Sequence, residues 1–490
     1  MTRLHGNGER QRFLGRRMGL GLAIISSLAL GVLGIDPARA DDSEKASSDR
    51  QASRPNVLFI AADDLNDWTG FLGGHPQAKT PNLDRLAARG VAFTRAYCSA
   101  PACNPSRASM LTGVRPASSG VYHNNQPWRP VLADAVTLPQ YFRKGGYHVV
   151  GGGKIFHGAY EDHASWDDYF KLTKQDHPVP KKVPVNGIPN TAHFDWGPVD
   201  VGDEAMGDFK TVSRAADYLK QSHDRPFFLA VGFIRPHLPW YVPRKYFDQF
   251  PLSEIKRPEV KANDLDDVPP GGLAMARRQG DHRKVVEAGQ WEKAVQGYLA
   301  NIAFVDAQIG RLLDALDSSR YGKDTIVVFW GDHGWHLGQK EHWRKFALWE
   351  EATRVPLIIA APGIGRPGTL SPRTVSLMDL YPTLIELAGL PPKPEIEGNS
   401  LVPLLKAPNS AWDHPAVTTH GRNNHSVRSE RWRYIRYADG QEELYDHSHD
   451  PKEWNNLAGN PQWTQIKAEL ARSLPTRNAP DAPTRRGEGE

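Results

Sequence analysis

The run Val57-Leu58-Phe59-Ile60-Ala61-Ala62-Asp63-Asp64 joins six apolar residues to two carboxylates without a break. A strand apolar on both faces belongs in a sheet covered on both sides, and parallel sheets are built from such strands. Similar runs recur at Phe227 to Val231, Ile326 to Trp330 and Leu357 to Ala361. Between them the chain is punctuated for helices. Thr80-Pro81-Asn82-Leu83 offers a capping threonine and a first-turn proline, with Gly90 as the stop. From Val295 the apolar positions Leu299, Ile302, Val305, Ile309, Leu312 and Leu316 step by three and four residues, one stripe of a long helix. Strands alternating with helices predict an α/β fold with a largely parallel central sheet sandwiched by helices. Ligands in such folds gather beyond the carboxyl ends of the strands, where Asp63 and Asp64 fall.

Outward from this core, the first 40 residues combine arginines (Arg10, Arg12, Arg16, Arg17), an apolar run from Leu20 to Leu33 and the small-residue exit Ala38-Arg39-Ala40. That pattern predicts a signal peptide cleaved near Ala40 and an exported, periplasmic or secreted protein with no stable membrane anchor. Residues 41–54 are polar and read as a flexible leader, and 55–390 as the main domain. Residues 391–474 read as a smaller subdomain. There Trp432 to Tyr437 and Glu443 to Tyr445, joined at Asp439-Gly440, predict a small antiparallel sheet. Residues 475–490 read as a disordered tail. Stretches 160–208 and 252–292 are too long for plain connections and are candidate substrate-shaping loops.

The first 40 residues hold six of the 60 basic and two of the 56 acidic residues, so the remainder carries 54 of each. A formally neutral chain has no bulk positive field, which argues against nucleic acid as its partner.

Asp332-His333 follows the run Ile326 to Trp330 as Asp63-Asp64 follows Val57 to Ala62, so two strand ends supply four potential ligands for one cation. Carboxylate oxygens suit a hard ion, calcium or magnesium, more than zinc, and calcium is the expectation. His333 is an atypical calcium ligand and either binds the metal or contacts the reacting group. Between the pairs lies Cys103-Asn104-Pro105-Ser106-Arg107, then Ala108-Ser109-Met110-Leu111-Thr112-Gly113, a loop running into a short helix that ends at glycine. A helix N-terminus near Cys103 with Arg107 one turn on makes an anion site. An unmodified Cys103 there is expected to be an activated thiolate. The competing reading is a disulfide with Cys98, the chain's other cysteine.

Cys-x-Pro-Ser-Arg followed by Leu-Thr-Gly resembles the signature of the sulfatase family, in which the cysteine is oxidised to formylglycine. Asp63-Asp64, Thr80-Pro81-Asn82-Leu83-Asp84, Gly153-Lys154 and Asp332-His333-Gly334 resemble further sulfatase landmarks in the same order. Gly153-Lys154-Ile155-Phe156-His157, Phe228-Leu229-Ala230-Val231-Gly232, Pro236-His237-Leu238-Pro239 and Asp332-His333-Gly334-Trp335 are similar to the iduronate-2-sulfatases in particular, with Arg235 where a lysine is expected. The resemblance implies an alkaline-phosphatase-like sulfatase fold and hydrolysis of sulfate esters on a sulfated sugar or polysaccharide. It also implies maturation by a formylglycine-generating enzyme. It assigns one calcium ion to Asp63, Asp64, Cys103, Asp332 and His333. It places Arg107, Lys154, His157, His237 and Lys345 around the sulfate, with Lys154, His237 and Lys345 touching substrate. Trp335 offers an aromatic face for the sugar ring. The alternatives are a phosphate or phosphonate ester hydrolase of the same superfamily, and a non-catalytic binder of sulfated glycans with Cys103 unmodified.

Overall fold

The four apolar runs become neighbouring strands at the centre of a mixed sheet. The computed structural model describes residues 54–189 and 193–485. The expected signal peptide and nearly all of the leader lie outside them, as do residues 486–490. Among the described residues no helix is long and apolar enough to cross a membrane.

In spatial order the sheet runs Thr369–Ser376, Val91–Tyr97, Arg354–Ala360, Thr325–Gly331, Asn56–Ala62, Phe227–Phe233, His148–Gly153 and Asp168–Phe170. Asn56–Ala62 is parallel to both neighbours, with Phe59 level with Ala230 on one side and Val328 on the other. Arg354–Ala360 runs antiparallel to both of its own. The cause is the route of the chain. Segment 332–353 leaves the carboxyl end of Thr325–Gly331 and folds back on itself there, Gly334 N–H donating to Ala352 O at 2.9 Å, so the next strand re-enters from that end.

Alternation along each strand splits the apolar residues between two cores, as a sheet buried on both faces requires. Leu58, Ile60, Leu229 and Val327 face helices Gly207–Lys220 and Trp291–Asp317. Val57, Phe59, Phe228 and Ile326 face helices Cys103–Thr112, Leu138–Lys144 and Leu380–Leu387. Each such side chain contributes about 1.5–3 kcal/mol on burial, which pins the sheet and the strand ends that carry the site.

Two local expectations need correction. Thr80 does not cap helix Pro81–Ala87; its hydroxyl accepts from Gly70 N–H at 2.7 Å. The free N–H groups of Asn82 and Leu83 donate instead to Asp306 of the long helix, at 3.1 and 2.8 Å. A carboxylate satisfies two orphan donors where a hydroxyl satisfies one. The tail is also not disordered through residue 485. Ala479 and Ala482 N–H groups donate to Ala117 and Gly120 carbonyls, each at 2.8 Å, and Gln126 Nε2 donates to Ala482 O at 2.9 Å. Partners far away in sequence fix this segment, so its composition could not signal order.

The antiparallel sheet comprises Ala416–Thr419, His425–Arg428, Trp432–Arg436 and Glu442–Asp446, with Gly440 at φ +85° in the last turn. It is joined to the main body beside the site: Thr419 N–H donates to Ser99 O at 2.9 Å and Thr418 Oγ1 to Cys98 O at 2.6 Å.

Candidate active site

In-register pairing of Ala62 with Gly331 makes the residues that follow them neighbours. Asp332 N–H donates to Ala62 O at 3.2 Å, and Asp64 N–H to Asp332 Oδ1 at 3.0 Å. Asp64 adopts φ +61°, a left-handed conformation that costs a non-glycine residue free energy. Tyr298 of the long helix offsets part of that cost, its hydroxyl donating to Asp64 O at 2.7 Å. Asp63, Asp64 and Asp332 are all fully buried.

Cys103 begins helix Cys103–Thr112, which ends at Gly113 in the left-handed region as its sequence implies. One turn on, Arg107 is fully buried and donates to Asp332 Oδ2 at 2.8 Å and Asp63 Oδ1 at 3.2 Å. Lys154 follows strand His148–Gly153, one strand removed from Asn56–Ala62, where Gly153 at φ +73° packs so closely on Gly232 that a Cβ would lie 1.8 Å from its carbonyl oxygen. That approach sets Lys154 Nζ on Asp63 and 3.8 Å from Cys103 Sγ. Lys345 Nζ lies 2.9 Å from both Asp64 Oδ1 and Cys103 Sγ. His333 Nε2 lies 3.3 Å from Cys103 Sγ and 3.3 Å from Asp64 Oδ1.

Three carboxylates thus face three cations around one sulfur. Burial opposes charge on Asp63, but Lys154 and Arg107 outweigh it and hold its carboxyl well below the usual range. Burial raises Asp332 despite Arg107 and His333. Burial and then Asp63 push the Cys103 thiol well above its ordinary value. That direction is opposite to the expected activated thiolate: burial, with Asp63 beside it, outweighs the helix end.

Two overlapping groups of side chains here could hold a metal ion. Ligand atoms of Asp63, Asp64, Cys103 and His237 lie within 4.8 Å of one another, as do those of Asp63, Cys103, Asp332 and His333. Asp64 Oδ2 is buried and accepts no hydrogen bond, which an ion would remedy.

Residues 55–390 match the family model described as Sulfatase. The chain belongs to the sulfatase family. Residues 331–479 of this sulfatase also match the model described as N-sulphoglucosamine sulphohydrolase, C-terminal. It is 40% identical to a sulfatase of Formosa agariphila over 91% of this chain and 92% of that one. It is 33% identical to iduronate 2-sulfatase of Homo sapiens over 69% and 70% of the two chains. A phosphonate monoester hydrolase from Silicibacter pomeroyi shares the fold, with TM-score 0.72, 23% identity, and 86% and 94% of the chains covered. By family and relatives, this sulfatase is a sulfuric ester hydrolase.

The remaining expected residues divide. His237 Nε2 lies 4.0 Å from Asp64 Oδ2 and its Nδ1 lies 2.6 Å from Leu238 O. A carbonyl only accepts, so Nδ1 carries the proton and Nε2 faces the site. His157 packs near Tyr160, ring centroids 5.7 Å apart. Trp335 offers no face to a sugar: it is 1% exposed, packed edge-on against Trp240 and beneath Lys345. Its backbone N–H donates to Glu351 O at 2.6 Å. Cys98 and Cys103 are both free, so the disulfide reading does not hold; Cys98 Sγ faces Ala352 O at 3.8 Å. Sequence reading missed Tyr298 and Ser106, whose hydroxyl donates to Asp332 O at 2.6 Å. A tyrosine on a core-facing stripe was the available signal, because a buried hydroxyl needs a partner.

Proposed function

We propose that this sulfatase removes the 2-sulfate of a uronic acid residue in a sulfated glycan, using one calcium ion and a formylglycine made from Cys103. The observation that carries the chemistry is the convergence of Asp63, Asp64 and Asp332 with Arg107, Lys154 and Lys345 on the Cys103 sulfur. The 33% identity to an iduronate 2-sulfatase supports the substrate. The Cys103 side chain stands in for the modified residue. A hydrated aldehyde there supplies one hydroxyl to attack sulfur and a second whose loss of a proton later expels sulfate. Asp63, Asp64, Asp332 and His333, with the modified Cys103, would hold a calcium ion, which would supply positive charge at the attacked group.

The chain's own residues do the rest. Lys154 and Lys345 balance charge on the sulfuryl oxygens, while Arg107 orients Asp63 and Asp332. His237, its Nδ1–H held by the Leu238 carbonyl, acts as the doubly protonated imidazolium and gives the Nε2 proton to the departing sugar oxygen, because an alkoxide leaves poorly near neutral pH. His157 is the second candidate donor. The predicted signal peptide supports export to the periplasm or the medium after maturation by a separate oxidising enzyme.

A panel of defined disaccharides assayed for sulfate release with calcium present tests this reading. Release from 2-sulfated uronates is the expected result. Turnover of an aryl phosphonate ester but of no sulfate would overturn it in favour of the phosphonate hydrolases that share the fold.

A further inference from the structure

Beside the nucleophile's position lies a polar cluster that sulfate ester hydrolysis does not use. Phe346 follows Lys345, and its N–H donates to Pro101 O at 3.0 Å, so it stands against the start of the Cys103 helix. Its ring carries a cation on each account: Lys345 Nζ lies 5.6 Å and the Arg278 guanidinium 5.3 Å from the ring centre. The His420 ring lies 5.9 Å from Phe346, and the His123 ring 5.8 Å from His420. His123 is tied back to the nucleophile, its carbonyl accepting from Asn104 Nδ2 at 3.1 Å. Three distant segments therefore meet here: the 252–292 loop, the turn after the Cys103 helix, and the turn between Ala416–Thr419 and His425–Arg428.

The chemistry of the cluster suits an anion. Arg278 is exposed, and among the described residues no carboxylate lies within ion-pair distance of it; nearby Asp281 is engaged by Arg344 at 2.7 Å and Lys284 at 3.7 Å. His420 is 6% exposed, and its Nδ1 is buried without a hydrogen-bond partner. Burial, His123 and Arg278 push His420 down to about 3, so it remains neutral and can offer an N–H. Asp481 is the acidic neighbour, acting on His123 against Arg278. A guanidinium fork matches two oxygens of a carboxylate or a sulfate.

We infer that Arg278, with His123 and His420, binds a second anionic group carried by the substrate, either a carboxylate or a further sulfate. The inference rests on the proposed reading of the Cys103 site. Phe346, shared by Lys345 and Arg278, sets the spacing between the scissile sulfate and that second group. The 252–292 loop thereby gains a defined role in selectivity.

The test compares mature, calcium-loaded wild type with Arg278→Ala and Arg278→Lys on two substrate pairs that each differ by one anion. One pair is a 2-sulfated uronate and its carboxyl-reduced counterpart; the other is a 2-sulfated uronate linked to N-sulfated glucosamine and the same disaccharide with the glucosamine N-acetylated. Wild type should prefer the more anionic member of at least one pair by roughly tenfold or more in kcat/KM. Arg278→Ala should bring that ratio to about one, chiefly through KM, with Arg278→Lys between; the pair affected identifies the anion. Thermal melting confirms that both variants fold. A ratio unchanged by Arg278→Ala, or no preference in wild type, would overturn the inference. Absence of sulfate release from every substrate by wild type would instead overturn the reading of the Cys103 site, and this inference with it.

Discussion

The floor of the site and its rim are built in different ways. Asp63, Asp64 and Asp332 emerge from two strands in register, and Cys103 and Arg107 from the first turn of one helix; all five are fully buried. At the rim, Arg278, His123 and His420 come from three loops and range from exposed to nearly buried. The floor is over-determined by sheet pairing and ion pairs, so its geometry tolerates little change. The rim depends on loops that can vary without disturbing the sheet. In the proposed reading, reaction chemistry and substrate choice thus fall to separate parts of the molecule.

The sharpest way to break this division is Cys103→Ala, which should lower sulfate release from an aryl sulfate by roughly a millionfold, the scale for losing a nucleophile. Persistent turnover would show that the floor is not where the reaction occurs. His237→Ala should cost roughly a hundred- to ten-thousandfold on a sugar sulfate. It should cost less on an aryl sulfate, whose phenolate leaves without a proton, and an equal loss on both would remove His237 as the acid. Arg107→Ala leaves Asp63 and Asp332 buried without their shared partner. It should destabilise the fold by about 3–5 kcal/mol in denaturant titration, and an unchanged midpoint would contradict an over-determined floor. The smallest effect is expected for Tyr298→Phe, which removes the hydroxyl that donates to Asp64 O and accepts from Asn66 N–H and should cost about 1–3 kcal/mol.

How much was legible in the sequence follows the same division. Asp63-Asp64 and Asp332-His333 could be placed because each directly follows an apolar run, and strand pairing then fixes their distance. Cys103 and Arg107 could be placed because the glycine stop at Gly113 marks a short helix. Lys345 was recoverable by resemblance alone, since Lys340, Glu341, Arg344 and Phe346 around it take positive φ values that no local rule anticipates. Trp335 was misread because an aromatic face suits a sugar ring, whereas this ring is buried against Trp240 and Lys345. Asp306 as a helix cap, the ordered tail and the Arg278 cluster depend on contacts between distant segments. Periodicity and spacing carry no record of those.

Mass spectrometry of the peptide containing Cys103, from the exported protein, tests the formylglycine mechanism most directly. An aldehyde in place of the Cys103 sulfur is the expected result. Quantitative recovery of a free thiol at Cys103 in protein that still releases sulfate would contradict it.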